Sequence, residues 1–276
     1  LTLGYTSPVF IRTNFLHTVQ AFYRQRDHPI YENTHKVAEL DIRSAGADFA
    51  FGYQWFRFGE TYLRYRYESD RTKNVFGPYA FENPTHIGSL AFLSTIDTRD
   101  HNTFARSGML FKGSYEAASP SYGGDIGYRK TTLAGQAVLT LAEIHTLAVD
   151  VSAGFGSGAL PYQEQFGIGG ADNLLGVPLP GYHRREFVNA NELGALLTYR
   201  WMLAEYQLRP VKALYLVLTG GAANVWDNRD DLASRDLRKG AGIGLHADTL
   251  IGPVRLDLGA GEERRYLVYF SAGFDF

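Results

Sequence analysis

The chain has 276 residues, 45% of them hydrophobic, with 18 Tyr, 18 Phe, 30 Gly, only 2 Met and a formal net charge of −2. It has no cysteine, which excludes disulfides and thiolate metal sites, and its eight histidines show no i, i+4 pairing that would hold zinc. No run of about 18 apolar residues exists, so no membrane-spanning helix is available, and no Lys/Arg stripe with interleaved aromatics points to nucleic acid.

The first strands are read at residues 1–10 and 14–27. Residues 39–55 form one long strand in which Phe49, Phe51, Tyr53 and Trp55 oppose Asp48, Ala50, Gly52 and Gln54. Glu39, Asp41 and Arg43 place polar side chains at odd positions, so the pattern slips over Ser44, Ala45, Gly46 and Ala47 and predicts a β-bulge there. After a short turn at 57–60, Thr61, Leu63, Tyr65 and Tyr67 oppose Tyr62, Arg64, Arg66 and Glu68, a charged set unsuited to a dry core. The same two-faced alternation recurs at 147–155, 193–201 and 254–260, with Asp150, Arg255 and Asp257 on the polar faces. It closes at 266–276, where Tyr266, Val268, Phe270, Ala272, Phe274 and Phe276 share one face.

Alternation alone fits a soluble β-sandwich binding module as well as a barrel in lipid. Two features favour the barrel. Trp55, Phe56 and Trp201 lie near strand ends, where amphipathic rings sit at headgroup level. Short connections at 57–60, 142–144 and 251–253 alternate with long ones at 69–85, 117–124, 156–191 and 227–236, the asymmetry of outer-membrane barrels. The expected fold is therefore all-β: an antiparallel transmembrane β-barrel of 12–16 strands, about 13 of them readable, forming one domain over 1–276. Single-chain bacterial barrels have even strand numbers, so an odd count means either that one strand is split wrongly or that strands are missing ahead of Leu1, the second being the favoured expectation.

The longest connection contains Phe166, Gly167, Ile168, Gly169 and Gly170, followed by Leu174, Leu175 and Gly176. This run resembles the lumen-loop motif of the Omp85 superfamily of outer-membrane insertion and secretion barrels. Asp97, Arg99 and Asp100, with Phe104 and Ser107-Gly108 after them, resemble that family's strand-end turn; Phe274 and Phe276 match its C-terminal barrel signal. Residues 36–40 through Gly59-Glu60, Asn224-Val225-Trp226 and the 248–253 turn are most similar to the branch attached to patatin-like phospholipases, the type Vd autotransporters.

The resemblance implies a bacterial outer-membrane location and a long loop folded into the lumen. It implies an anchor or translocator for an upstream domain, a patatin-like lipase in relatives, with any hydrolase activity outside this chain. Outer-membrane lipids and lipopolysaccharide, the barrel assembly machinery and a second copy in a homodimer are the implied partners. No cofactor, metal or nucleic acid is implied. An outer-membrane diffusion channel and a member of the protein-insertion machinery are the alternatives.

One departure stands out. The family's loop arginine falls at Leu175 and its acidic partner near Gly221. Arg184 and Arg185 are the candidate replacements, with Arg64, Arg66, Asp150, Arg255 and Asp257 as possible partners on the strands. Simpler readings apply elsewhere. The Gly167–Gly170 run lacks the spacing of a phosphate loop, Ser157 lacks the first glycine of a nucleophile elbow, and Asp227, Asp230 and Asp231 suit a solvated loop better than a calcium site. Asp97, Arg99 and Asp100 suit a structural ion-pair cluster, with a contact to an upstream domain as the functional reading.

Overall fold

The computed structural model describes residues 1–8, 14–32, 35–78, 84–171, 177–206, 210–227 and 237–273. Its strands are β1 (Thr2–Pro8), β2 (Phe15–Glu32), β3 (His35–Trp55), β4 (Gly59–Phe76), β5 (Thr85–Asp97), β6 (Ser107–Ala118), β7 (Tyr128–Leu141) and β8 (His145–Gly158). A short pair follows, β9 (Phe166–Ile168) and β10 (Phe187–Asn189), then β11 (Asn191–Glu205), β12 (Val211–Trp226), β13 (Arg238–Thr249), β14 (Gly252–Gly261) and β15 (Arg265–Ala272). Apart from β9 and β10, which pair with each other, all lie in one 13-stranded sheet in chain order, with β1 and β15 at its two ends. Adjacent strands run antiparallel wherever the register is described.

The alternation in the sequence becomes two faces. Val19, Phe49, Tyr65 and Leu90 stand in one cross-strand row, and His17, Phe51, Leu63 and Phe92 in the next. This face stays exposed: Phe49 is 51% accessible, Leu63 59% and Phe270 70%. A sandwich would bury such a face, and a soluble surface rarely carries so continuous an apolar patch. The polar face is the covered one, holding the buried Arg66, Glu68 and Asp70 beside Leu40, Ile42 and Ile87.

The expected bulge at Ser44–Ala47 is absent. Pairing of β3 runs unbroken through these residues on both sides, and its register shifts lie at Ile30/Tyr31 and Glu39/Leu40. The physical reason is strand length. β3 has 21 residues, whereas roughly 9–11 residues cross a bilayer. Beyond Ala45 the apolar face simply continues as Arg43 and Asp41 without changing phase.

The chain forms two compact units. The first comprises Leu1–Ile96, Lys112–Leu133 and Gly154–Gln165; the second comprises Asp97–Phe111, Ala134–Ala153 and Phe166–Phe276. In the second, Ile168, Val177, Leu179, Tyr182 and Ala223 form a buried cluster against Phe187 and Val225. A smaller one joins Ala105, Val138 and Ala148.

Candidate functional site: a connection seated on the polar face

The connection between β8 and β11 makes different contacts in the two units. In the first, its 3-10 turn, Tyr162–Glu164, meets strand residues through charge. Arg66 Nη1 donates to Glu164 Oε1 at 2.9 Å and to Glu68 Oε2 at 3.1 Å, and its Nη2 donates to Glu116 Oε1 at 2.5 Å. Lys130 Nζ reaches Glu164 Oε2 at 3.0 Å, Arg64 reaches Glu116 at 3.2 Å, and Tyr128 Oη donates to Glu116 at 2.7 Å. Gln163 Nε2 donates to Asp70 Oδ2 at 2.7 Å, and the Tyr162 ring meets His28 edge-on.

A guanidinium this buried is tolerated only because carboxylates surround it, since an unpaired charge costs several kcal/mol. Burial opposes the ionisation of Glu164, but Arg66 and Lys130 outweigh it and hold this carboxyl below the usual range. A cavity of about 40 Å³ beside the cluster is lined in part by Arg24, Arg26, His28, Ser44 and Arg66.

In the second unit the connection rests on glycine. Gly240 pairs with Gly221 and Gly261, and Gly242 pairs with Gly259, making a floor without side chains on the polar face of β12–β14. A Cβ on Gly240 would lie 2.1 Å from the Pro180 carbonyl oxygen, and one on Gly259 would lie 2.4 Å from the Gly181 nitrogen. Gly181 itself has φ +91°, and a Cβ there would meet the Gly261 nitrogen at 2.1 Å. Tyr269 fastens the contact: the Gly181 N–H donates to its Oη at 2.8 Å, and the Oη donates to the Tyr182 carbonyl at 2.8 Å.

Phe166–Gly170 clamps this segment by backbone pairing. Gly169 N–H donates to Val177 at 3.0 Å, Gly170 N–H to Tyr182 at 2.9 Å and Leu179 N–H to Gly170 at 2.9 Å. Past it, Arg265 Nη1 donates to Glu186 Oε1 at 2.7 Å, while the other carboxylate oxygen accepts from the His183 N–H at 2.8 Å.

The expected site residues distribute as follows. Arg66 and Arg64 lie in the charge cluster. Arg185 is buried with its side chain against Gly167, and Arg184 lies beside Gly170. Asp257 pairs with His246 at 2.8 Å, and Arg255 stands opposite His246 on the ladder. Asp150 joins a different group: Asp97 takes Arg99 through two hydrogen bonds of 2.8–2.9 Å, Arg99 donates to Gln136 at 2.9 Å, and Gln136 donates to Asp150 at 2.7 Å. This chain fixes the β5–β6 turn, where the stacked rings of Phe104 and Tyr215 meet and Arg200 donates to the Ala105 carbonyl. Asp100 accepts the Arg106 and Ser107 N–H groups. Slight burial opposes its ionisation, but those backbone donors prevail and lower its pKa. Leu174, Leu175, Gly176, Phe274 and Phe276 lie outside the described residues.

Sequence reasoning missed Glu164, Glu116, Lys130, Glu186 and Arg265. Glu116, Lys130 and Arg265 sit on polar strand faces, so extending the alternation to β6, β7 and β15 finds them. Glu164 and Glu186 lie in irregular chain with no period to read.

The family model described as the Omp85 superfamily domain matches residues 1–276. Among solved structures, BamA from Haemophilus ducreyi lacking POTRA domains 1–3 aligns with a TM-score of 0.76 at 15% identity, covering 98% of this chain and 61% of that one. CdiB from Escherichia coli aligns at 0.63 and 12% identity, covering 93% and 49%; CdiB from Acinetobacter baumannii aligns at 0.60 and 12%, covering 98% and 48%. The chain thus spans about half to three fifths of the length of these proteins. A search of curated protein sequences found no match.

Proposed function

Because the chain belongs to the Omp85 superfamily, we propose that it is a transmembrane β-barrel of the bacterial outer membrane that anchors or translocates an upstream domain. The apolar face of the sheet meets lipid, the polar face lines the lumen, and the β8–β11 connection plugs that lumen. The observation that carries this reading is the glycine floor. Residues on β13 and β14, Gly240, Gly259 and Gly261, lack side chains where connection backbone lies directly against the sheet. A wide diffusion channel has no use for such a seat.

In this reading the chain performs no catalysis. The branch resemblance supports a patatin-like lipase as the upstream domain, the barrel assembly machinery as the route of insertion, and a homodimer as the assembled form. The polarity of the plug's anchorage is reversed relative to the family pattern. Carboxylates on the connection, Glu164 and Glu186, meet arginines on strands, Arg66 and Arg265. The connection holds to the strands without an arginine at position 175.

Conductance in planar bilayers tests the plug. The intact chain is expected to be nearly silent, and E164Q combined with G240V is expected to give frequent large openings. Large, steady openings from the intact chain, unchanged by those substitutions, would support the channel reading instead. A protein that stays folded in buffer without detergent would overturn the membrane reading altogether.

A further inference from the structure

The exposed face of β2–β4 changes character along its length. From the row of Phe15, Tyr53 and Thr61 up to the row of Tyr23, Ala45 and Ser69 it is uncharged, and apolar or aromatic apart from His17, Thr61 and Ser69. That is eight residues along the strand, about 27 Å, or about 20 Å vertically at the usual tilt, close to the height of the lipid-facing band of an outer-membrane barrel. The upper two rows of this band carry exposed Tyr23 and Tyr67, with His86 stacked on Tyr67, the ring chemistry of the headgroup level.

The very next row is Gln25, Arg43 and Arg71, and the one after it is Asp27, Asp41 and Lys73. Arg43 and Arg71 are directly opposite each other on the ladder, an arrangement that like charges disfavour. Asp41 satisfies Arg43 at 2.9 Å. The side chains of Arg71 and Lys73 are exposed and make no hydrogen bond or ion pair among the described residues. All of these residues lie toward the strand end that carries the connections at 77–84, 119–127 and 159–190, so on the reading above they face outside the cell.

We propose that Arg43, Arg71 and Lys73 form a binding site for the phosphate groups of a phosphorylated glycolipid in the outer leaflet. Two guanidinium groups one row above the aromatic level can take a phosphate through paired N–H···O bonds, which also relieves their mutual repulsion. Lys73 adds a point charge. The apolar rows below continue the contact along the acyl chains. The site rests on the membrane reading above and adds to it a specific lipid chemistry.

The test uses the full chain folded in neutral detergent and titrated with bisphosphorylated lipid A, with bound lipid read by native mass spectrometry. R43Q/R71Q/K73Q is expected to bind at least tenfold more weakly, and R71Q alone about threefold more weakly. K212Q, which removes a charge at the opposite strand end, is expected to bind as the unaltered chain does. Lipid A stripped of both phosphates is expected to bind the unaltered chain as weakly as bisphosphorylated lipid A binds the triple variant, and millimolar inorganic phosphate to compete poorly. Folding of every variant is checked by its heat-modifiable gel shift, and R71Q carries the test if the triple variant misfolds. Equal binding of both lipid A forms, or R71Q binding like K212Q, overturns the site. Failure of the unaltered chain to enter phosphatidylcholine vesicles would instead strike the membrane reading.

Discussion

The two anchorages of the β8–β11 connection use opposite physics. Around Tyr162–Glu164 the contact is ionic: a buried arginine shared by Glu68, Glu116 and Glu164, with Lys130 as a second cation. Around Pro180–Tyr182 it is steric: backbone laid on glycines, held by one hydrogen bond accepted and one donated by the Tyr269 hydroxyl. Charge contacts can be loosened by protonation or a competing ion and then re-form. A backbone seated on glycine is indifferent to both, and any side chain added beneath it must push it off. The two ends of the connection should therefore respond differently to acid and salt.

The sharpest way to break this contrast is Arg66→Met. Removing the shared cation leaves buried carboxylates facing each other, so a loss of about 3–5 kcal/mol is expected in urea unfolding from lipid vesicles. Pairing R66M with E164Q should recover part of it, because one of the stranded charges goes too. A double-mutant cycle that returns no coupling would remove the ionic anchorage from the account.

Acid should do more gently what that substitution does. The Glu164 pKa is held below its ordinary value of 4.5 by Arg66 and Lys130 against the opposing effect of burial. A carboxyl lowered on folding contributes stability that is fully present above its unfolded pKa and is lost as pH falls through the folded one. Protease resistance of residues 159–165 should thus hold at pH 6 and fall well below pH 4.5. E164Q should be weakened at every pH with a much flatter acid dependence, and resistance near Gly181 should barely move. Equal acid sensitivity at both ends would erase the distinction.

Gly240→Val probes the steric end. The first added carbon would sit 2.1 Å from the Pro180 oxygen, and forced overpacking costs about 1–3 kcal/mol. The expected readout is faster labelling of a cysteine placed at 180 by a soluble reagent, with the same rate at low and high salt. A stable, well-seated G240V would show that the floor is slack.

How much of this the sequence reveals depends on period. The faces of β3 and β4, including Arg64 and Arg66, are legible because a strand repeats every two residues. The same signal misleads at Ser44–Ala47, where a change of solvent along one face looks, in sequence, like a change of phase and so like a bulge. The glycine floor is legible only in part. Gly240, Gly242 and Gly244 alternate visibly, but what sets Gly240 and Gly242 apart is the nearness of Pro180, some sixty residues away, which no local pattern connects. Glu164 pairs with a residue 98 positions distant, and the Asp97–Arg99–Gln136–Asp150 chain likewise joins β5, β7 and β8 in a way spacing cannot show.

The smallest expected effect sharpens the contrast most finely. Arg265 and Glu186 form an ion pair inside the sterically held half, with the same polarity as Arg66 and Glu164. Its setting differs in two ways. Glu186 keeps a second donor, the His183 N–H, when Arg265 is replaced, and the Arg265 side chain retains 18% of its accessibility, so water already shares the charge. Arg265→Gln should therefore cost about 1.5 kcal/mol, the value of one charged hydrogen bond, and leave labelling of the cysteine at 180 unchanged. If R265Q instead releases that segment as fully as G240V does, then charge governs both ends of the connection and the glycine floor only accommodates what the ion pair holds.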